Sequence, residues 1–122
     1  MGQRDRNSDI EINQLSNKMA ERQRKLKIQT GVVKRIAKEK VMYENEAVGI
    51  AEKISKMEAT GEDEYVIKKQ KEVLAESKQM GPDCQKRLEQ AIEVLSGLVE
   101  TEKDLEETEE YRNAVNQLNE VK

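Results

Sequence analysis

The chain has 122 residues, a single-domain length, of which 35% are apolar and 39% charged; its net charge is −3, it has one Pro, and it has neither Phe nor Trp. Such a composition argues against a rounded core built on aromatic volume and suits long helices or a coiled coil. With no His and a single Cys, it offers neither the usual catalytic base nor an intramolecular disulfide, and no apolar run approaches the ~20 residues of a membrane span.

The charge is unevenly placed. Up to Lys40 there are eleven basic and five acidic residues, a net of +6, and from Val41 onward the net is −9. Such asymmetry either steers a charged partner or draws the chain's own helices together. Met1 to Asn7 is short, polar and reads as unstructured. Ser8-Asp9-Ile10-Glu11 fits a capping box, with Ser8 as N-cap. Behind it Ile12, Leu15 and Met19 keep a heptad frame that Arg22 breaks. The pattern favours a helix unbroken from near Asp9 to Met57; the alternative is an exposed extension with nothing opposite it. Residues 1–25 are therefore set apart as an extension, partly flexible or continuing the first helix, from a domain over 26–122.

The central stretch runs from Leu26 to Met57. At alternating spacings of three and four its seam reads Leu26, Gln29, Val33, Ile36, Lys40, Tyr43, Ala47, Ile50, Ile54 and Met57. That is the period of a helix laying one stripe against partners, and no strand pattern fits it. At 1.5 Å per residue such a rod is ~48 Å long and needs matching rods from the rest of the chain. The basic cluster Arg22 to Lys27 reads as a solvated helix face before it reads as a nucleic-acid contact, since no aromatic residue interleaves the cations for base stacking. Gly31 and Gly49 sit inside the helix at a cost of ~1 kcal/mol each relative to Ala.

Ala59 to Asp63 interrupts the pattern. Gly61 suits the left-handed conformation that ends a helix, and Asp63 is a good N-cap for the next. So short a loop makes the two helices antiparallel neighbours. The second helix carries Ile67, Leu74, Gly81, Cys84, Leu88, Ala91, Leu95 and Leu98 on its seam, flanked by Val66, Val73, Met80 and Val94. Pro82 lies in its middle, yet the heptad register passes through Gly81-Pro82-Asp83 without a slip. One helix from about Asp63 to about Glu100, kinked at those residues, is the expectation, and two shorter helices the alternative. Cys84 reads as a core thiol. Glu100 to Glu110 holds seven carboxylates and one Lys but no calcium-loop spacing, so it reads as a solvated turn and first helical turn rather than a metal site. Thr101 is the expected cap of a third helix with Leu105, Tyr111, Val115, Leu118 and Val121 on its apolar face. The fold class is then all-α: an elongated antiparallel three-helix bundle of coiled-coil type. A monomer is expected; Gln29 and Lys40 on the seam leave room for a dimer.

Such a chain presents surfaces, and its functions are binding functions: a protein chaperone, a coiled-coil adaptor or oligomerisation module, and, weakest, a nucleic-acid binder. Five separated stretches carry a resemblance. They are Thr30 to Arg35 (TGVVKR), Lys38 to Glu44 (KEKVMYE), Ile67 to Gln70 (IKKQ), Pro82 to Glu89 (PDCQKRLE) and Glu102 to Glu107 (EKDLEE). In that order they resemble the tubulin-specific chaperone A (tubulin-folding cofactor A) family, without an evident gap from about Leu26 to Lys122. The resemblance implies a three-helix bundle that captures β-tubulin after the cytosolic chaperonin, until other folding cofactors build the αβ heterodimer. It implies no enzyme activity, no nucleotide or other cofactor, no nucleic acid and no membrane, and a cytoplasmic, cytoskeleton-associated place. Two departures stand out: the residues up to about Lys25 precede the usual family start, and Gly81 stands where a bulkier apolar residue commonly precedes Pro-Asp.

A docking face is expected on the outward side of the first helix, where Lys34, Arg35, Lys38, Val41 and Met42 lie with Lys27, Ile28 and Val48. Exposed apolar groups rimmed by cations suit an acidic protein partner such as tubulin. The alternative is a rotated helix that puts Val41 and Met42 at a helix–helix boundary.

Overall fold

The computed structural model describes residues 6–122, with side chains from residue 9 onward. The chain forms α1 (Arg6–Thr60), α2 (Glu64–Thr101), a 3₁₀ turn at Lys103–Leu105 and α3 (Glu109–Glu120), with no strand among the described residues. Met1 to Asp5 lie outside the described residues. Arg6 and Asn7 already belong to α1, so they are helical rather than unstructured, and Ser8 lies inside the helix rather than at its N-cap. A capping side chain contributes about 1 kcal/mol, too little to set a boundary against a helix that continues for 55 residues.

Contacts divide the molecule into two compact units, one made by residues 33–91, the other by the first part of α1 with residues 92–122. In the 33–91 unit α1 and α2 form an antiparallel hairpin. The turn between them is a Schellman motif: Gly61 takes φ +71, the Glu62 amide donates to the Met57 carbonyl at 3.0 Å and the Gly61 amide to the Glu58 carbonyl at 3.4 Å. Asp63 then caps α2, accepting the Tyr65 amide at 2.8 Å. Val33, Ile36 and Ile54 of α1 and Cys84, Leu88 and Ala91 of α2 are buried, and the seam positions Lys40, Tyr43, Ala47, Ile50 and Met57 are half-buried. Two ion pairs cross the hairpin, Lys71 to Glu58 at 3.1 Å and Arg87 to Glu39 at 3.6 Å. α2 runs unbroken through Pro82, so the reading with two shorter helices does not hold. Cys84 is a buried free thiol whose sulfur accepts from Arg87 Nη2 at 3.0 Å.

In the other unit Leu26, Leu95, Leu105, Ala114, Gln117 and Leu118 are buried. Leu105 projects from the 3₁₀ turn and is 1% exposed, which anchors the connection between α2 and α3. The cap of α3 is Thr108, not Thr101. The Thr108 hydroxyl accepts the Tyr111 amide at 3.3 Å, while Thr101 ends α2 with its hydroxyl on the Leu98 carbonyl at 3.3 Å. The chain needs the residues between them to bring Leu105 into the core. The Tyr111 phenol donates to the Val99 carbonyl at 2.9 Å, one of the acceptors a helix end leaves open. Toward the N-terminus α1 is continuous but uncovered: Ile10, Ile12, Leu15 and Met19 are all exposed.

Candidate partner-binding surface

α1 positions the candidate surface within the 33–91 unit. Because Val33, Ile36 and Ile54 face inward, residues offset from that seam by half a turn must face water. Lys34, Val41 and Val48 recur every seven residues and so lie along one line of the helix, with Lys38 and Met42, four apart, on the neighbouring line. Val41 and Met42 are each 52% exposed and Val48 58%; Lys34, Arg35 and Lys38 are exposed as well. The arrangement with Val41 and Met42 at a helix–helix boundary is therefore excluded. None of those three cations pairs with a carboxylate among the described residues, whereas Lys40, one step toward the seam, bonds Glu44 at 3.6 Å. Three uncommitted cations thus border three exposed apolar side chains, the composition of a surface that attracts an acidic partner and then excludes water from it. Ile28, also exposed, and Lys27 belong to the other unit.

The other basic and acidic stretches answer each other. Arg22 forms a fork to the carboxylates of Glu102 and Asp104, and Gln23 reaches Glu110 at 3.4 Å. The Arg22 hydrogen bond holds the Asp104 carboxyl below its usual range, and the Asp104 and Glu102 bonds raise Arg22. Among the described residues no group of three or more His, Cys, Asp or Glu side chains is placed to hold a metal ion, and no helix is long and apolar enough to cross a membrane.

Of the residues expected at a kink, Gly81 is half-buried and Pro82 and Asp83 exposed. Gly81 and Pro82 line an open groove with Tyr43, Ala47 and Val48 of α1, and Ser77 closes its floor. Ser77 is the residue sequence reasoning passed over. It falls on the heptad frame between Leu74 and Gly81, and that spacing was the signal available.

Comparison with known proteins adds to this geometry. A family described as tubulin binding cofactor A matches residues 21–118. Tubulin-specific chaperone A of Gallus gallus is 59% identical over 101 residues, covering 83% of this chain and 94% of that protein. The solved structure of human tubulin chaperone cofactor A superposes with a TM-score of 0.71 at 55% identity, covering 82% of this chain and 97% of that one. The crystal structure of tubulin folding cofactor A from Arabidopsis thaliana does so with 0.72 at 41%, covering 84% and 96%. On sequence and on fold, this chain belongs to the tubulin binding cofactor A family.

Proposed function

We propose that the protein is a tubulin-folding cofactor that binds β-tubulin released from the cytosolic chaperonin and keeps it competent for αβ heterodimer assembly, other folding cofactors acting after it. The observation that carries this reading is the exposed Val41, Met42 and Val48 bordered by Lys34, Arg35 and Lys38, which pair with no carboxylate among the described residues, inside the span that matches the family. The cations speed encounter with an acidic client, and the apolar groups hold it. Binding is a matter of surface complementarity, independent of ATP, GTP or divalent metal, and involves no catalysis. The protein acts as a monomer in the cytoplasm, with residues 1–25 as an extension to a binding domain over 26–122.

A second reading, a coiled-coil adaptor, draws on the exposed heptad stripe Ile12, Leu15 and Met19, all of which precedes the family match. The two readings part on a native gel. Incubated with chaperonin-released β-tubulin, the protein gives a shifted band with or without nucleotide and chelator if it is the cofactor. No shift under any of those conditions rejects the cofactor reading.

A further inference from the structure

Val66, Val73 and Met80 recur every seven residues along α2 and so lie on one line of it, and they are 41%, 42% and 39% exposed. Arg87 is the next residue on that line, and its ion pair with Glu39 of α1 at 3.6 Å fixes what stands opposite. Stepping seven residues along each antiparallel helix from that pair sets Met80 across from Glu46 and Val73 across from Lys53. The other ion pair between the helices, Lys71 to Glu58, runs along the opposite border. There Glu44, Lys78 and Gln85, at further seven-residue steps, line the open groove. The apolar line is thus a separate surface of the hairpin. Lys53 and Lys56 border it toward the turn; both are exposed, and neither pairs with a carboxylate among the described residues. Near Met80 the border is acidic, with Glu46 across from it and Glu76 one turn before it, both exposed. Met42, exposed and one turn from Glu46 on α1, joins this strip to the proposed docking face.

Spacing and charge decide what fits. Seven residues of helix rise ~10.5 Å, so a helix laid alongside α2 meets each of the three apolar groups with one turn pair of its own seam. Same-face side chains of an extended segment recur every ~6.6 Å and fall out of step. A docked helix also brings its backbone already hydrogen-bonded, to a surface that is itself helical and has no backbone groups to offer. A second copy is the weaker occupant. Three side chains already more than half covered expose far less than the ~800 Å² per partner that a stable dimer buries, whereas a client also covers the adjoining face of α1. We infer that the strip Val66, Val73 and Met80 receives an amphipathic helix of the client polypeptide. That helix turns acidic side chains toward Lys53 and Lys56 and a basic one toward Glu46. Resting on the reading of the protein as a β-tubulin cofactor, this extends the contact from α1 onto α2 and names the conformation of the client segment held there.

The test uses the full chain and chaperonin-released β-tubulin. In Val66→Gln/Val73→Gln both positions are exposed and Gln favours the helix more than Val does, so the protein melts within about 5 °C of wild type while capture weakens about tenfold. Lys53→Glu/Lys56→Glu changes exposed side chains only and weakens capture about tenfold at low salt. Gln79→Ala, on an outward line of α2, captures as wild type does. Peptides tiling β-tubulin are then screened for one that binds wild type about tenfold tighter than the Val66→Gln/Val73→Gln variant. A proline in the middle of that peptide abolishes its binding, a lactam between outward i,i+4 positions keeps it, and exchanging its acidic residues for Lys restores binding to the Lys53→Glu/Lys56→Glu variant. Unchanged capture by both double variants overturns the strip and leaves the cofactor reading intact, and so does an equal loss in Gln79→Ala. No strip-dependent peptide, or one that tolerates proline and not the lactam, overturns the helical occupant. A dimer of the protein alone in sedimentation, lost in Val66→Gln/Val73→Gln, gives the strip to a second copy and overturns the client. Absence of capture by the wild type overturns both readings.

Discussion

Replacing Lys34, Arg35 and Lys38 together by Glu separates the proposed docking face from the scaffold, because the three side chains are exposed and pair with no carboxylate among the described residues. The helix itself loses little. Lys34 and Lys38 are a like-charge i,i+4 pair and remain one as two Glu. The favourable i,i+4 sign of Arg35 toward Glu39 turns unfavourable, and such pairs are worth about 0.2–0.5 kcal/mol each. The sum is below about 1 kcal/mol, a melting shift of no more than about 5 °C. Association responds far more, since six units of charge change on one face and electrostatic steering accelerates encounter by about 10- to 1,000-fold. The expected outcome is a β-tubulin association rate about 10- to 100-fold slower at ~0.05 M salt, with most of the difference gone near 1 M, where the Debye length is about 3 Å. Biolayer interferometry across a salt series measures the rate, and circular dichroism on the same sample checks the helix. A variant with wild-type helicity that associates at the wild-type rate in low salt refutes steering by these cations.

Met42→Ser on the same face leaves the melting temperature within about 2 °C, because the side chain is 52% exposed, and slows release of β-tubulin less well than wild type; a large drop in melting temperature would instead mark Met42 as core. Glycine-to-alanine changes take opposite signs along the chain. Gly49→Ala, with no atom within 4 Å of the added Cβ, stabilises the helix by about 0.5–1 kcal/mol, whereas Gly61→Ala at φ +71 costs about 1–2 kcal/mol, both read by urea denaturation. The Asp104 carboxyl is held below its usual range by Arg22, so its contribution is complete above the ordinary carboxylate value of about 3.9 and is lost as pH falls through the lowered one. Arg22→Ala therefore flattens the stability profile below about pH 4, and an unchanged acid profile would show that the fork carries no stability.

How much of this was legible in the sequence depends on whether a feature follows from period or from pairing. The α1 seam follows from period: all ten positions from Leu26 to Met57 are buried or half-buried, including Gln29 and Lys40, whose polarity alone would have sent them outward. The exposure of Lys34, Arg35, Lys38, Val41 and Met42 was legible for the same reason, these residues being the complement of that seam. On α2 the same frame was read through apolarity, which found Cys84, Leu88 and Ala91 but skipped Ser77, more buried than Leu74 beside it. Thr101 and Thr108 both precede carboxylates, and only the packing of Leu105 between them selects the second as cap. Arg22 showed its charge but not its partners, 80 and 82 positions away.

The groove beside Pro82 was illegible for a deeper reason, since two of its residues, Ser77 and Gln85, each carry a buried side-chain oxygen without a partner among the described residues. A serine and a glutamine on a helix normally find solvent or a neighbouring carbonyl, and nothing in their letters says that they will not. A proline inside a helix is read as a cost of about 3 kcal/mol, and the carbonyl it releases is read as part of that cost. Pro82 itself lines an open groove with Tyr43 and Ala47, so its ring also contributes surface outside the helix core. Pro82→Ala should therefore raise the melting temperature, and β-tubulin capture by the same variant tests whether the proline also serves binding. Stability and capture that rise together in that variant would show the proline to be a burden without a binding role.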